Sequence, residues 1–249
     1  MNFKRNDARW LIAAGALALA SVGGLASAQD TLETTSRATA ATNPEQTAMK
    51  HVSDAVAVAQ RMLQEPRMRE LLLQAKGVFI VPTYGRAALG VGASGGAGVL
   101  LIKRADGAWS DPAFYNIGGI SAGAQIGVEA GAIALALNNE KAVNKFMQKN
   151  SFSMNAAAGL TIVNWAKIAQ GSLGDGDVVA WAGTKGLYGN LVAVGVSDIR
   201  YNQKLTNAFY HQTVSAADAL AGKHTNANAD TLKQTLGAAP GAAPAPVPR

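Results

Sequence analysis

The 249 residues contain no cysteine. This excludes disulfides, thiolate metal sites, a cysteine nucleophile and thiol acylation at a leader cleavage site. Histidine is almost as scarce. His51, His211 and His224 form neither an i, i+4 pair nor an H-E-x-x-H, so metal-dependent hydrolysis finds no ligand set. Charged residues make up 15% and aromatics 6% of the chain. Aromatic girdles are missing and the C-terminus reads Pro246-Val247-Pro248-Arg249, which argues against a transmembrane barrel. No dense basic stripe marks a nucleic-acid binder. Carboxylates are sparse in the middle of the chain, where Asp111 and Glu129 are the only pair worth naming; Glu129 reads as structural, accepting backbone amides in a bulge. No catalytic constellation, resident metal or cofactor is expected, and the chain reads as a non-enzyme.

Glycine and small apolar residues dominate what is present. Lys4, Arg5 and Arg9, an apolar stretch over 11–25 and Ala26-Ser27-Ala28 make a secretory signal over residues 1–28. Its apolar core is short for crossing about 30 Å of hydrocarbon, so cleavage after Ala28 and a periplasmic product are expected. Cleavage lowers the formal charge from +6 to +4, a mildly basic chain suited to an anionic surface. Residues 29–42 read as a flexible lead-in.

Asn43-Pro44-Glu45 opens a first helix, proline being tolerated in the first turn. Met49, Val52, Val56, Ala59 and Leu63 form its apolar stripe, which either packs on a sheet or faces a membrane. Pro66 starts a second helix that carries Met68, Leu71, Leu72 and Ala75 and stops at Gly77. Residues 77–82 and 87–102 are β runs. Asp106-Gly107 makes a tight turn, Trp109 begins a return strand and is expected to be buried, and 118–128 and 130–137 supply two further runs. So many glycines suit a strongly bent sheet in which backbones cross closely. A short helix over 139–149, a strand over 152–163, a β pair (178–182 with 187–196) and two helices around 202–211 and 215–220 complete the pattern. The fold class is α+β: a curved, glycine-rich antiparallel sheet, sandwich or half-barrel, flanked by N-terminal and C-terminal helices. The domain is placed at 43–222, with a disordered Pro/Ala-rich tail over 223–249.

Three motifs tempt and fail. Gly90-Val91-Gly92-Ala93-Ser94-Gly95 satisfies G-x-G-x-x-G, but a strand follows where nucleotide binding needs a helix. Gly92-Ala93-Ser94-Gly95-Gly96 spells G-x-S-x-G without the strand-to-helix elbow. Asp175 and Asp177 hint at calcium but fall short of the six or more oxygens it takes; a solvated hairpin loop is the reading.

An ordered set of motifs resembles the SYLF family, whose yeast members are called Ysc84-type actin-binding proteins. These are Ala75-Lys76-Gly77-Val78, Gly98-Val99-Leu100-Leu101, Gly107-Ala108-Trp109-Ser110-Asp111-Pro112-Ala113, Gly118-Gly119, Gln125-Ile126-Gly127-Val128-Glu129 and Thr184-Lys185-Gly186-Leu187-Tyr188. The chain departs from the family pattern at Val163-Asn164-Trp165-Ala166-Lys167, where many members have G-P-x-G-R, and at Ala132 and Val194, which replace acidic residues. The resemblance implies a lipid-binding module: eukaryotic members recognise phosphoinositides, helped by an amphipathic N-terminal helix and basic residues, and some bundle actin. An exported bacterial protein does not meet actin, so what transfers is affinity for anionic phospholipid or a membrane surface. By position the resemblance implies Lys76, Arg86 and Lys185 as lipid-binding candidates; Arg61, Arg67 and Arg69 join them from the helix reading. The alternative is a structural component of the cell envelope with a protein partner. Intact-mass measurement on exported protein should give a chain that begins at Gln29; retention of residues 1–28 would replace a periplasmic protein with an anchored one.

Overall fold

The computed structural model describes residues 43–148, 150–154, 159–169, 176–184 and 196–238. The expected leader and lead-in lie outside these residues, as do Asp175, Lys185, Val194 and the stretch from 239 onward.

Helix α1 (Pro44–Leu63) starts where Asn43 accepts the Glu45 amide through its side chain, with Pro44 in the first turn. Of its expected stripe Val52, Val56 and Ala59 are buried and Met49 and Leu63 half-buried, and the helix packs on the sheet and on two C-terminal helices. The membrane-facing alternative for this helix is thereby excluded: the stripe is already covered. Helix α2 (Pro66–Gln74) follows, burying Met68 and Leu72.

Two long strands make the heart of the fold. β1 (Gly77–Ile102) pairs antiparallel with β2 (Ala113–Leu137), from Gly77 opposite Leu137 to Leu100 opposite Ala113. The shorter runs expected from sequence are therefore continuous, because glycine bends a strand without leaving the ladder. Register slips between Val81 and Tyr84, and again between Leu89 and Val91. Pro82 falls in the first irregularity, where its missing N–H costs no ladder bond. Between the strands Gly107 takes a φ of +81°, and Trp109 is 6% exposed, buried as expected.

β1 also folds back upon itself. A Cβ on Gly98 would fall on the Ile80 carbonyl and 2.9 Å from Val81 Cα, and one on Gly96 would lie 2.5 Å from the Thr83 carbonyl oxygen. The first and last segments of β1 thus cross at a distance only glycine permits. The crossing brings the two ends of the strand together, and Lys103 N donates to Lys76 O at 2.8 Å.

The other edge of β2 is shared by two strands. β6 (Val196–Tyr201) pairs with Tyr115, Asn116 and Ile117, and β5 (Val178–Ala182) pairs with Ile133 through Leu137. The expected partner of β5, residues 187–196, lies outside the described residues apart from Val196; β5 and β6 are seen at opposite ends of β2. The strand expected over 152–163 is two short pieces. β3 (Ser151–Met154) lies on β6, and β4 (Ile162–Asn164) runs parallel to β5. Asn164 then accepts the Ala166 amide through its side chain, which turns the chain into α4 (Trp165–Ala169). Helix α3 (Glu140–Gln148) places Phe146 beside Tyr115 with ring centroids 5.0 Å apart, and Tyr115 donates its hydroxyl to Phe146 O.

The C-terminal helices are α5 (Gln203–Tyr210), α6 (Ala216–Leu220) and α7 (Asp230–Gly237), with a 3₁₀ turn at Ala227–Ala229. Asn202 and Ser215 cap α5 and α6. The expected boundary at Gly222 is too early. Ala229, Leu232 and Leu236 are buried and α7 packs on α1. Two leucines four apart were the signal, hidden in a polar stretch. Gly98→Ala should cost about 3 kcal/mol or more through overpacking, whereas Gly85→Ala, with open space at its Cβ, should shift stability by less than about 1 kcal/mol. Chemical denaturation of the two variants measures both.

Candidate anion-binding site

The strand crossing builds a cleft of about 820 Å³ where β1 begins and ends. Lys76 leads into β1; Lys103 and Arg104 leave it, and all three line the cleft. Lys103 Nζ donates to Leu73 O at 2.6 Å and to Leu72 O at 3.3 Å, placing a cation on the last carbonyls of α2. The same ammonium stands 5.1 Å from the centre of the Trp109 ring. Burial, and secondly the charge of Lys76, push the Lys103 ammonium below the usual lysine range. Arg104 Nη2 donates to Asp106 Oδ2 at 2.9 Å, while its Nε is buried without an acceptor among the described residues. Gly222, at a φ of +75°, lies so close that a Cβ there would sit 2.5 Å from Arg104 Nη1. Glu140 and Leu220 complete the walls. Leu73, on the last turn of α2, is 45% exposed, one of two large apolar side chains so exposed among the described residues.

Of the six cations expected from sequence, Lys76 lines the cleft. The three arginines of the first two helices are engaged elsewhere. Arg61 stands 5.7 Å over the Trp181 ring, Arg67 donates to the Ile168 and Ala169 carbonyls, and Arg69 donates to Leu63 O at 2.7 Å. Between them Glu65 accepts the indole N–H groups of Trp165 and Trp181. This corner ties α1 and α2 to α4 and β5. Arg86 faces Glu129 across the β1–β2 ladder at 4.0 Å, with its side chain only 13% exposed. Lys185 is outside the described residues. Lys103 and Arg104 join Lys76 although no motif marks them; their position just past the apolar run that ends β1, with Ala75-Lys76-Gly77 at its start, was the available signal.

The acids take structural posts. Glu129 meets Arg86 rather than the backbone amides of a bulge. Asp111, 3% exposed, does not pair with it; Asp111 accepts Asn226 N at 3.0 Å and Lys233 Nζ at 3.1 Å. Asp177 accepts Thr161 N and Asn139 Nδ2, each at 2.7 Å, and stands 3.4 Å from Lys141 Nζ. Among the described residues no three His, Cys, Asp or Glu side chains group to hold a metal. Ser94 lies within β1 and its hydroxyl donates to Gly119 O, so neither glycine motif meets a helix.

A family model described as Ysc84, "Las17-binding protein actin regulator", matches residues 118–239. Similar proteins include SH3 domain-containing YSC84-like protein 1 of Bos taurus, 26% identical over 170 residues, 67% of this chain and 49% of that protein. Protein YSC84 of Saccharomyces cerevisiae is 27% identical over 158 residues, 61% of this chain and 33% of that one. Over residues 118–239, just under half of its length, the chain matches the Ysc84 (SYLF) family, and these relatives agree. It spans half or less of the length of these relatives. The match reaches past Gly222 and takes in α7, in keeping with the fold.

The SYLF motifs acquire physical roles in this geometry. Trp109 is the floor beneath Lys103. Ser110 Oγ accepts Ile102 N and donates to Asp111 O, fastening the end of β1. Asp111 anchors the C-terminal segment through Asn226 and Lys233. The Asp177 carboxyl is held below the usual carboxylate range, first by the Thr161 amide and then by Asn139 and Lys141. A depressed folded-state pKa means that its contribution is complete above the unfolded value, about 4, and is lost as pH falls through the lower folded value. Asp177→Asn should therefore cost on the order of 1 kcal/mol at pH 7, with the deficit shrinking below about pH 4. Denaturation across pH 3 to 7 gives the comparison.

Proposed function

We propose that this SYLF domain is a non-enzymatic module that binds anionic phospholipid surfaces reversibly, in the periplasm once exported. The observation that carries the reading is the convergence of Lys76, Lys103 and Arg104 in one cleft beside exposed Leu73. Cations near an anionic membrane contribute about 1 kcal/mol each, and a leucine inserted among acyl chains adds an apolar contribution of similar order. The contact is then strong enough to localise the protein and weak enough to release it. No helix among the described residues is long and apolar enough to cross a membrane, and the stripe of α1 is occupied by the core, so the membrane-facing surface is the α2–β1 corner. The names of the relatives speak of actin and Las17; for this exported chain the partner is lipid.

Flotation with phosphatidylcholine vesicles containing phosphatidylglycerol or cardiolipin tests this. Wild-type protein should float at low salt and lose most binding near 0.5 M, since exposed charges are screened over about 10 Å already at 0.1 M. Lys76→Glu should weaken binding by about 10-fold or more, and Leu73→Ser should weaken it at unchanged melting temperature. Lys204→Glu, an exposed change outside the cleft lining, should leave it unaltered. Wild-type protein that stays at the bottom of the gradient at low salt would remove the lipid reading and favour an envelope protein partner.

A further inference from the structure

We propose that the C-terminal segment, residues 223–237, is a strap coupled to the cleft: seating the strap strengthens membrane binding at the cleft, and binding there holds the strap down. The inference rests on the lipid reading and adds its regulation by a second part of the chain.

The strap starts and ends at the cleft. Leu220 and Ala221, which lead into it, line one wall. Gly222 follows against the Arg104 guanidinium, where a Cβ would sit 2.5 Å from Nη1. At the far end a Cβ on Gly237 would meet Trp109 Cδ1 at 3.9 Å, and the Trp109 ring is the surface over which Lys103 Nζ stands. Between these ends the strap is tied to Asp111, which accepts Asn226 N at 3.0 Å and Lys233 Nζ at 3.1 Å. One short turn serves both parts. Arg104 N donates to Ala108 O, Ser110 N to Ile102 O and Ile102 N to Ser110 Oγ, which bonds residues 102–111 into a unit. That unit carries Lys103 and Arg104 toward the cleft, and Trp109 and Asp111 toward the strap.

The strap is also the part of this arrangement best able to open. Within it only Ala229, Leu232 and Leu236 are buried, and segments with few buried apolar contacts open locally well below the free energy of global unfolding. Opening removes from Asp111 the ammonium and the amide that answer its charge. Asp111 is 3% exposed while the strap is seated, and a buried carboxylate stripped of its partners is costly. The turn therefore has to shift to bring Asp111 to water, and Trp109 and Arg104 shift with it. The seated strap is thus the state in which Lys103 and Arg104 keep their places at the cleft. A surface that binds them in those places stabilises the strap by the same free energy by which the strap strengthens binding, because coupling between two sites is reciprocal.

Hydrogen exchange and flotation on mature protein (residues 29–249), with vesicles of phosphatidylcholine and phosphatidylglycerol, test the coupling. In wild type, vesicles should slow exchange over residues 226–237, by less than at the cleft itself. Two variants loosen the strap without removing a cation. Leu236→Ala leaves the charge unchanged, and Asp111→Asn removes a negative charge, which by simple attraction would tighten binding to an anionic surface. Both should instead speed exchange over the strap and weaken flotation by about 5-fold or more, the lower end of usual couplings. Met154→Ala, a buried change on β3, should lower the melting temperature and leave vesicle affinity and strap exchange as in wild type. Wild-type protein that floats while its strap exchange ignores vesicles, or strap variants that float as well as wild type, would overturn the coupling and leave the lipid reading intact. Equal weakening by Met154→Ala would trace the effect to general instability and overturn the coupling as well. Wild-type protein that does not float removes the lipid reading and the coupling with it. Because the vesicle effect is read in wild type, a folding defect in Asp111→Asn does not rescue the proposal.

Discussion

The close crossing of β1 over itself is the constraint on which the rest of this structure depends. Gly96 and Gly98 pass so near the backbone of Ile80 and Thr83 that a single methyl group on either would displace main-chain atoms. Protein interiors deform little, so that contact sets the curl of the sheet. The curl in turn determines where the ends of β1 lie. Residues 76 and 103, far apart along the chain, are joined by a backbone hydrogen bond, and three cations gather at the seam. The gathering of these cations thus follows from a steric property of glycine more directly than from overall charge.

Around this centre, hydrogen-bonded polar side chains, half-buried or buried for the most part, determine which helix lies where. Glu65 receives two indole N–H groups, and Arg67 and Arg69 cover carbonyls at helix ends. Such groups are costly when unpaired, so each one specifies its neighbour. Asp111 does the same for the C-terminal segment: as a nearly fully buried carboxylate it requires Lys233 and the Asn226 amide. The arginines that look like a membrane-facing cluster on a helical wheel are therefore largely employed in holding the α1–α2 corner to the sheet.

Much of the architecture was legible in the residues. Asn43-Pro44, the Val52–Val56–Ala59 spacing, Asp106-Gly107 and Ser215 each encode a local structure with one good solution, and the abundance of glycine announced close backbone approach. What could not be read was which distant segments meet. Nothing local in Val178–Ala182 or Val196–Tyr201 tells that β2 is long enough to seat one of them at each end. The helix Asp230–Gly237 was missed because its two leucines stand among polar residues and its anchor, Asp111, lies over a hundred positions away. The site was half legible. Lys76 stood in a family motif, but Lys103 and Arg104 became candidates only when the strand crossing set them beside it.

Hydrogen-exchange mass spectrometry of the mature protein, with and without anionic vesicles, tests the central claim most directly. If the strand crossing presents the binding face, protection on vesicle addition will concentrate at residues 71–77 and 102–108, the α2–β1 corner and the turn after β1, with α1 unchanged. Protection centred on residues 44–63, with none at the corner, would contradict the account and return the membrane contact to the first helix.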